Sequence, residues 1–245
     1  GESIVSRAEP MPAGLSTADR SSTPPRLSFP RHYNAAVDLI EPNLAAGRAS
    51  KTAFIDDKGS TSYGELAERV NRCGNTLRGL GLGMEQRVML LLLDTIDFPS
   101  AYLGAMKIGA VPVPVNTLLT TEDYAYILRD SRARVLVVAA PLYEKLKPAL
   151  ADQPWLDRVI IAGPAIDGHA TLEALTAKAS ATLDAAPTTA DDPAFWLYSS
   201  GSTGMPKGTI HIHSSLVTTA ELYARPVLGI NENDVVFSAA KLFFA

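Results

Sequence analysis

The chain has 245 residues, of which 47% are hydrophobic, and its formal net charge is −4. This length suits one large domain or two small ones, and this hydrophobic content excludes global disorder. The mild negative charge gives no electrostatic reason to expect nucleic acid or an anionic membrane as a partner. The longest strongly apolar run, 88–93, is too short to span a membrane, and a single cysteine, Cys73, excludes an internal disulfide and a cysteine-based metal cluster. These features are typical of a cytoplasmic enzyme.

The first residues differ in composition from the rest of the chain. Residues 1–30 contain many Ser, Thr, Pro and Arg residues and few apolar ones, which predicts a disordered leader. A transit peptide is disfavoured because Glu2, Glu9 and Asp19 lie in this segment and no amphipathic face is present. The sequence starts without Met and stops directly after an apolar run, so we expect it to be a piece of a longer protein.

The next part of the chain predicts a helix, a strand and a second helix. Apolar spacing predicts a helix over 33–46, which Pro42 should bend or restart, and a strand over 51–56. Ser62 and Glu65 form a capping-box pattern at the start of the second helix. The glycines at 79, 81 and 83 favour a cap at the end of that helix over a dinucleotide-binding fragment, because no strand precedes them.

From residue 87 onward, strands and helices alternate at short spacing. The predicted strands are 87–93, 111–115, 133–139 and 158–162. The predicted helices are 98–108, 120–130, 143–151 and 172–179. Pro112 and Pro114 should prevent their strand from pairing fully on both sides. This alternation predicts an α/β fold with parallel-sheet layers and helices on both faces.

A small-residue, acidic linker over 179–193 leads to the most informative stretch. Two apolar runs, 194–198 and 208–213, predict a pair of strands. The residues between them that suit phosphate binding are Ser199, Ser200, Gly201, Ser202, Thr203, Gly204 and Lys207. Glycines let backbone N–H groups crowd around an anion, hydroxyls add donors, and an ammonium offsets negative charge. The pattern is neither a Walker A loop, which opens a helix with Gly-Lys-Ser/Thr, nor an ordinary flexible linker, because apolar strands flank it.

Several aromatic residues and histidines lie around this loop. Trp196 and Tyr198 are expected to pack in the core beneath it, although adenine stacking is an alternative. His211 and His213 are two residues apart on one strand face, but no third ligand accompanies them. Structural or pocket-lining roles are therefore favoured, and no metal ligand is assigned. A helix is expected from residue 214 or 215 to about 224, followed by a strand over 234–239.

Residues 198–208 resemble the phosphate-loop signature of the adenylate-forming (AMP-binding) superfamily, which includes acyl- and aryl-CoA ligases, peptide-synthetase adenylation domains and luciferases. The stretches 194–200, 208–213 and 219–245 are similar to the benzoate-CoA ligase branch. The resemblance extends over 29–245. It implies that 31–245 is an incomplete N-terminal AMP-binding domain, without its C-terminal part and the small mobile domain. It also implies that the loop residues, from Ser199 to Lys207, hold the β- and γ-phosphates of ATP.

The resemblance implies an ATP-dependent aryl (benzoate-type) carboxylate-CoA ligase that forms an acyl adenylate, uses Mg²⁺, and passes the acyl group to coenzyme A. The expected substrate is a small aromatic carboxylate. Phe244 and Ala245 are candidates for a flat aryl pocket, although an ordinary apolar strand end explains them equally well. No catalytic residue is assigned within the 245 residues, and the chain alone is expected to be inactive. Another acyl-CoA ligase, an adenylation domain and a non-catalytic nucleotide-binding remnant are the alternatives.

Overall fold

The computed structural model describes residues 12–199, 204–219 and 221. The strands are β1 (Thr17–Asp19), β2 (Arg26–Ser28), β3 (Thr52–Asp56), β4 (Gly59–Ser62), β5 (Arg87–Leu91), β6 (Val111–Pro114), β7 (Val135–Ala139), β8 (Arg158–Ala162), β9 (Ala170–Thr171), β10 (Pro193–Ser199) and β11 (Lys207–Ile212). The helices are α1 (Ala35–Ala45), α2 (Tyr63–Gly79), α3 (Asp97–Lys107), α4 (Thr121–Ser131), α5 (Tyr143–Leu146), α6 (Leu172–Ala177) and α7 (Ser214–Thr219). Within these described ranges, no helix combines the length and apolar character needed to cross a bilayer. The strand predicted over 234–239 lies outside the described residues.

A five-stranded sheet in the order β6-β5-β7-β8-β9 forms the centre of the molecule, and each neighbouring pair is parallel. Successive side chains of β5 point to opposite faces, as the pleat requires. Val88 and Leu90 pack with residues of α2, α3 and α6, whereas Met89 and Leu91 pack with residues of α4 and α5. Both faces are therefore covered by helices, which explains why these strands are apolar throughout. The predicted α/β fold is confirmed.

The prolines of β6 explain its position at one edge of this sheet. Val111 N donates to Gln86 O at 2.7 Å, and Val115 N donates to Leu90 O at 3.0 Å. Pro112 and Pro114 alternate with these donors, so the N–H groups that they lack would point away from β5. The expectation that the prolines prevent pairing on both sides is confirmed.

Both ends of α2 follow from local sequence. Ser62 Oγ accepts from Glu65 N at 3.2 Å and donates to the Glu65 carboxylate at 3.0 Å, so the carboxylate bonds the hydroxyl of the cap residue. At the other end, Gly81 has a φ of +90°, and Leu82 N donates to Leu77 O at 3.1 Å. This is the six-to-one bond of a glycine-terminated helix. The glycines thus form a helix cap, as predicted.

Three local features differ from expectation. Residues 17–28, predicted as part of a disordered leader, form an antiparallel pair of strands, and Ser16 Oγ next to them donates to Asp38 Oδ2 of α1 at 2.6 Å. Helix α1 includes Pro42 and does not restart there, whereas the alternative that Pro42 bends the helix stays a prediction. The helix predicted over 143–151 is divided into the four-residue α5 and a 3₁₀ turn. Pro148 lies in that turn and cannot donate the α-helical hydrogen bond.

The segment over 179–193 is bound to the surface of α2 and α1. Asn71 Nδ2 donates to a carbonyl group of this segment at 2.8 Å, and Asn75 Nδ2 donates to two more at 2.9 Å. Thr188 Oγ1 donates to Tyr33 O at 2.6 Å, just before α1. The direction in which the chain enters β10 is therefore fixed by side chains of the preceding helices.

Candidate functional site

The candidate site is an antiparallel hairpin formed by β10 and β11. Tyr198 pairs with Gly208, and Ser199 pairs with Lys207, so the predicted phosphate loop is the connection that closes this hairpin. Ser200, Gly201, Ser202 and Thr203 lie outside the described residues. The structure therefore shows the base of the loop, and the roles of the loop residues stay predictions.

Among the described residues of the loop, Gly204 is open to solvent, whereas Pro206 near the exit is packed. Gly204 has a φ of +121°, a conformation that favours glycine, and open space surrounds the position a Cβ would take. Pro206 is buried, whereas Lys207 is exposed. In the part of the chain that the structure describes, no carboxylate forms an ion pair with Lys207. Its ammonium is therefore not neutralised by these carboxylates.

One face of β10 packs into the core beside α1, α2 and α3. Phe195 is buried there, and its ring centroid lies 5.7 Å from that of Tyr102. The His211 ring stacks on Phe195 with centroids 4.7 Å apart and an interplanar angle of 3°. His211 thus covers the core aromatic, which agrees with the structural role, one of the two roles left open for it.

The opposite face of β10 carries Trp196 and Tyr198 toward α4. The guanidinium carbon of Arg87 lies 5.0 Å from the centroid of the Trp196 ring, within the range of a cation–π contact. The Tyr198 hydroxyl donates to Asp130 Oδ2 at 2.6 Å. Burial, followed by the hydrogen bond and the charge of Asp130, raises the pKa of Tyr198, so its hydroxyl stays a donor. Both aromatics therefore pack beneath the loop, as predicted.

Tyr198 also covers the first residues of β11. A Cβ added to Gly208 would lie 3.1 Å from Tyr198 Cζ and 3.4 Å from its Oη. Glycine at this position therefore leaves the space that the tyrosine ring fills. The pairing of Tyr198 with Gly208 joins the two arms of the hairpin immediately below the loop.

His213 fixes the far end of β11. Its side chain is fully buried, and its Nδ1 accepts from Ala35 N at 3.0 Å, at the start of α1. Its backbone N donates to Asp192 O at 3.1 Å. Burial lowers the pKa of His213 to about 4, although the nearby charge of Asp192 acts in the opposite direction. The imidazole is therefore neutral near pH 7, with its proton on Nε2, and it serves as an internal anchor.

A cavity of about 500 Å³ lies elsewhere, between α2, the start of α3 and α6. Its lining includes no hairpin residue, and it combines three cations with four carboxylates: Lys58, Arg69 and Arg72 with Glu65, Glu68, Asp97 and Glu173. Carboxylates repel a polyanion, so this cavity is a poorer match for a triphosphate than the hairpin loop.

Sequence reasoning missed the residues that anchor the hairpin. Asp130 and Arg87 come from distant elements, and no local pattern identifies them as partners of Tyr198 and Trp196. His213 carried a weak signal, because a histidine between an apolar strand and a helix is a plausible buried anchor. Phe244 and Ala245, the predicted pocket residues, lie outside the described residues.

The parallel sheet covered by helices is shared with solved structures of known enzymes. Residues 43–245 match the family of AMP-binding enzymes. The chain belongs to this family.

Particular relatives are similar over most of the chain. The benzoate–CoA ligase of Thauera aromatica is 59% identical over 232 residues, which cover 94% of this chain and 44% of that protein. The crystal structure of a benzoate CoA ligase from Burkholderia xenovorans LB400 matches with a TM-score of 0.79 and 48% identity, over 86% of this chain and 41% of that one. An anthranilate CoA ligase in complex with anthranoyl-AMP matches with a TM-score of 0.82 and 37% identity, over 88% and 42%. The chain thus spans less than half the length of these relatives.

Proposed function

We propose that the protein containing this chain is an ATP-dependent aryl-CoA ligase that converts a benzoate-type carboxylate into its CoA thioester through an acyl adenylate. The observation that carries the proposal is the 59% identity to a benzoate–CoA ligase over 94% of the chain. The proposed location is the cytoplasm, and the proposed partner is a small aromatic carboxylate.

In this proposal, the hairpin loop binds the β- and γ-phosphates of ATP, which leave as pyrophosphate. The substrate carboxylate attacks the α-phosphate of ATP, the bond to the β-phosphate breaks, and pyrophosphate carries away the negative charge. Donors and a cation placed around the β- and γ-phosphates stabilise that charge as it develops. Ser199, Gly204 and Lys207 belong to this loop in the described structure, and the proposal assigns the same role to 200–203. Coenzyme A then displaces AMP from the adenylate.

Mg²⁺ is expected for such chemistry, but the described part of the chain does not form a site for it. Among residues 12–199, 204–219 and 221, no three His, Cys, Asp or Glu side chains converge as metal ligands. We therefore assign no step of the reaction to a metal held by these residues. In the proposal, Mg²⁺ arrives with the phosphates of ATP, which commonly supply part of its ligand set.

The test is ATP–pyrophosphate exchange with the complete protein. Benzoate should support exchange, whereas an aliphatic acid of similar size, such as hexanoate, should support much less. The variant Lys207→Ala should weaken ATP binding, and Lys207→Arg should retain more of it because the positive charge is kept. We also propose that the 245-residue chain alone does not catalyse exchange.

The outcomes separate the alternatives. Exchange with fatty acids and not with benzoate would assign the protein to another branch of acyl-CoA ligases. ATP binding without exchange for any acid would support a non-catalytic nucleotide-binding protein. Exchange by the 245-residue chain alone would show that the residues it contains suffice for adenylation.

A further inference from the structure

We infer that the hydrogen bond from Tyr198 to Asp130 is a positioning device that holds the phosphate loop in the orientation that binds ATP. This inference rests on the proposed function, because it concerns the affinity of the loop for the triphosphate of ATP. Tyr198 and Asp130 are positioning residues in this inference, since both act through the loop and neither is assigned a contact with substrate.

The first support is the place of Tyr198 in the hairpin. Tyr198 directly precedes Ser199, where the loop begins, and it pairs with Gly208, which follows Lys207 where the loop ends. The close approach of its ring to Gly208 means that one side chain spans both arms. A movement of the ring would therefore move both ends of the loop.

The second support is the rigidity of the anchor. Asp130 lies one residue before the end of α4, a helix held on the central sheet by three side chains that are almost completely buried. These side chains are Tyr124, Ile127 and Leu128. The bond to Tyr198 spans 68 residues of sequence, so it fixes the hairpin relative to a remote and firmly packed element.

A second contact acts at the same end of α4. Arg87 Nε donates to Ser131 O at 2.7 Å, and the Arg87 guanidinium lies over the ring of Trp196. Trp196 and Tyr198 are two residues apart, so they project from the same face of β10. The end of α4 therefore contacts this face directly at Tyr198, and through Arg87 of β5 it is linked to Trp196, so two positions of the strand are held.

The third support is that the bond contributes little to holding the fold together. Asp130 is exposed, and hydrogen bonds and charge interactions at the surface stabilise a protein weakly. The other face of β10 is anchored independently by Phe195, which is buried in the core. Loss of the bond should thus leave the hairpin folded while Ser199 and Lys207, where the loop begins and ends, change orientation.

The experiment uses the complete protein and measures ATP affinity apart from acid activation. Titration calorimetry gives the Kd for ATP, pyrophosphate exchange gives KM and kcat, and differential scanning calorimetry gives Tm. The variants are Tyr198→Phe, Asp130→Ala, Asp130→Asn and the double variant of Tyr198→Phe with Asp130→Ala. Asp157→Ala is the matched control, because it removes an exposed carboxylate that is bonded to Arg134 at 2.6 Å and to no described residue of the hairpin.

Tyr198→Phe and Asp130→Ala should each raise the Kd and KM for ATP by about five- to tenfold, and the double variant should be no worse than either single one. Asp130→Asn keeps an acceptor and should restore most of the affinity. Tm should stay within about 2 °C of the parent, since the lost interaction is at the surface. The control should leave the Kd for ATP unchanged.

Unchanged ATP affinity in Tyr198→Phe would overturn the inference, as would additive losses in the double variant or a fall in Tm that accounts for the weaker binding. Failure of the parent protein to bind ATP would also overturn it. If the parent binds ATP but activates no aryl acid, the proposed function fails, and the comparison of Kd values still decides the inference.

Discussion

Acidification should weaken the fold through His213, whose neutral imidazole anchors β11 to α1. The unfolded chain has a histidine pKa near 6.5, whereas burial lowers the pKa of His213 to about 4 in the folded protein. Between these two values the unfolded state binds a proton that the folded state does not, so stability falls as the pH decreases. Above pH 6.5 both states are neutral at this residue, and its contribution no longer changes with pH.

The size of the effect follows from the difference between the two pKa values. Each unit corresponds to about 1.4 kcal/mol, so acidification from pH 7.5 to pH 4 should remove about 3 kcal/mol of unfolding free energy through this residue. Protonation at Nδ1 would also end the hydrogen bond from Ala35 N. The charge would then lie in a fully buried site, which is why the folded state resists it.

The measurement is urea denaturation at half-unit intervals from pH 7.5 to pH 4.5, with His213→Asn as the comparison. Asparagine offers Oδ1 as an acceptor for Ala35 N and does not titrate. Carboxylates titrate in both proteins, so their contributions cancel in the difference in unfolding free energy between the parent and this variant. As the pH falls, the unfolding free energy of the parent should decrease by roughly 2 to 3 kcal/mol relative to that of the variant. A difference that stays constant across this range would refute the assignment of a neutral buried imidazole.

Three further substitutions test packing and capping. Gly104→Ala should destabilise the protein by about 2 kcal/mol, because its Cβ would lie 2.9 Å from Gly74 N, on the backbone of α2. Gly79→Ala is the control, since open space surrounds that position and the change should be neutral or stabilising by up to about 1 kcal/mol; equal unfolding curves for the two variants would contradict the close contact. Asn34→Ala should cost about 2 kcal/mol in chemical denaturation. The reason is that Asn34 Oδ1 caps α1 at Ala36 N while its Nδ2 donates to Met106 O at 3.1 Å, and Asn34→Asp should recover the cap but not the second bond. Gly208→Ala should displace the Tyr198 ring, which should raise the Kd for ATP severalfold while Tm changes little. An unchanged Kd would show that the ring has room to move.

The sequence predicted the parts of the fold that depend on local patterns. The apolar runs of β5 and β7 indicated strands, and the prolines of β6 indicated a strand that does not pair fully on both sides. Gly81 indicated the end of α2, because only a residue tolerant of positive φ continues the chain there easily. In each case the physical cause lies within a few residues of the feature.

The features that the sequence did not reveal depend on distant contacts. Helix α1 continues through Pro42, with Ile40 buried in the core before it and Leu44 packed against the same core after it, and single-residue propensities do not describe such contacts. The bond between Tyr198 and Asp130 requires both the register of the hairpin and the position of α4 on the sheet. The hydroxyl-rich loop could be recognised as a site for phosphates, whereas the scaffold that orients it could not.

The prolines of β6 also determine how the hairpin is mounted. Strand β10 runs beside β6, yet Pro112 and Pro114 offer no N–H on that edge, and among the described residues the two strands belong to separate sheets. Side-chain contacts, and not a continuous ladder of backbone hydrogen bonds, thus hold the hairpin against the central sheet. Side chains such as Phe195 and Tyr198 therefore set the orientation of the hairpin, and substitutions there can change it while every ladder bond of the five-stranded sheet stays intact.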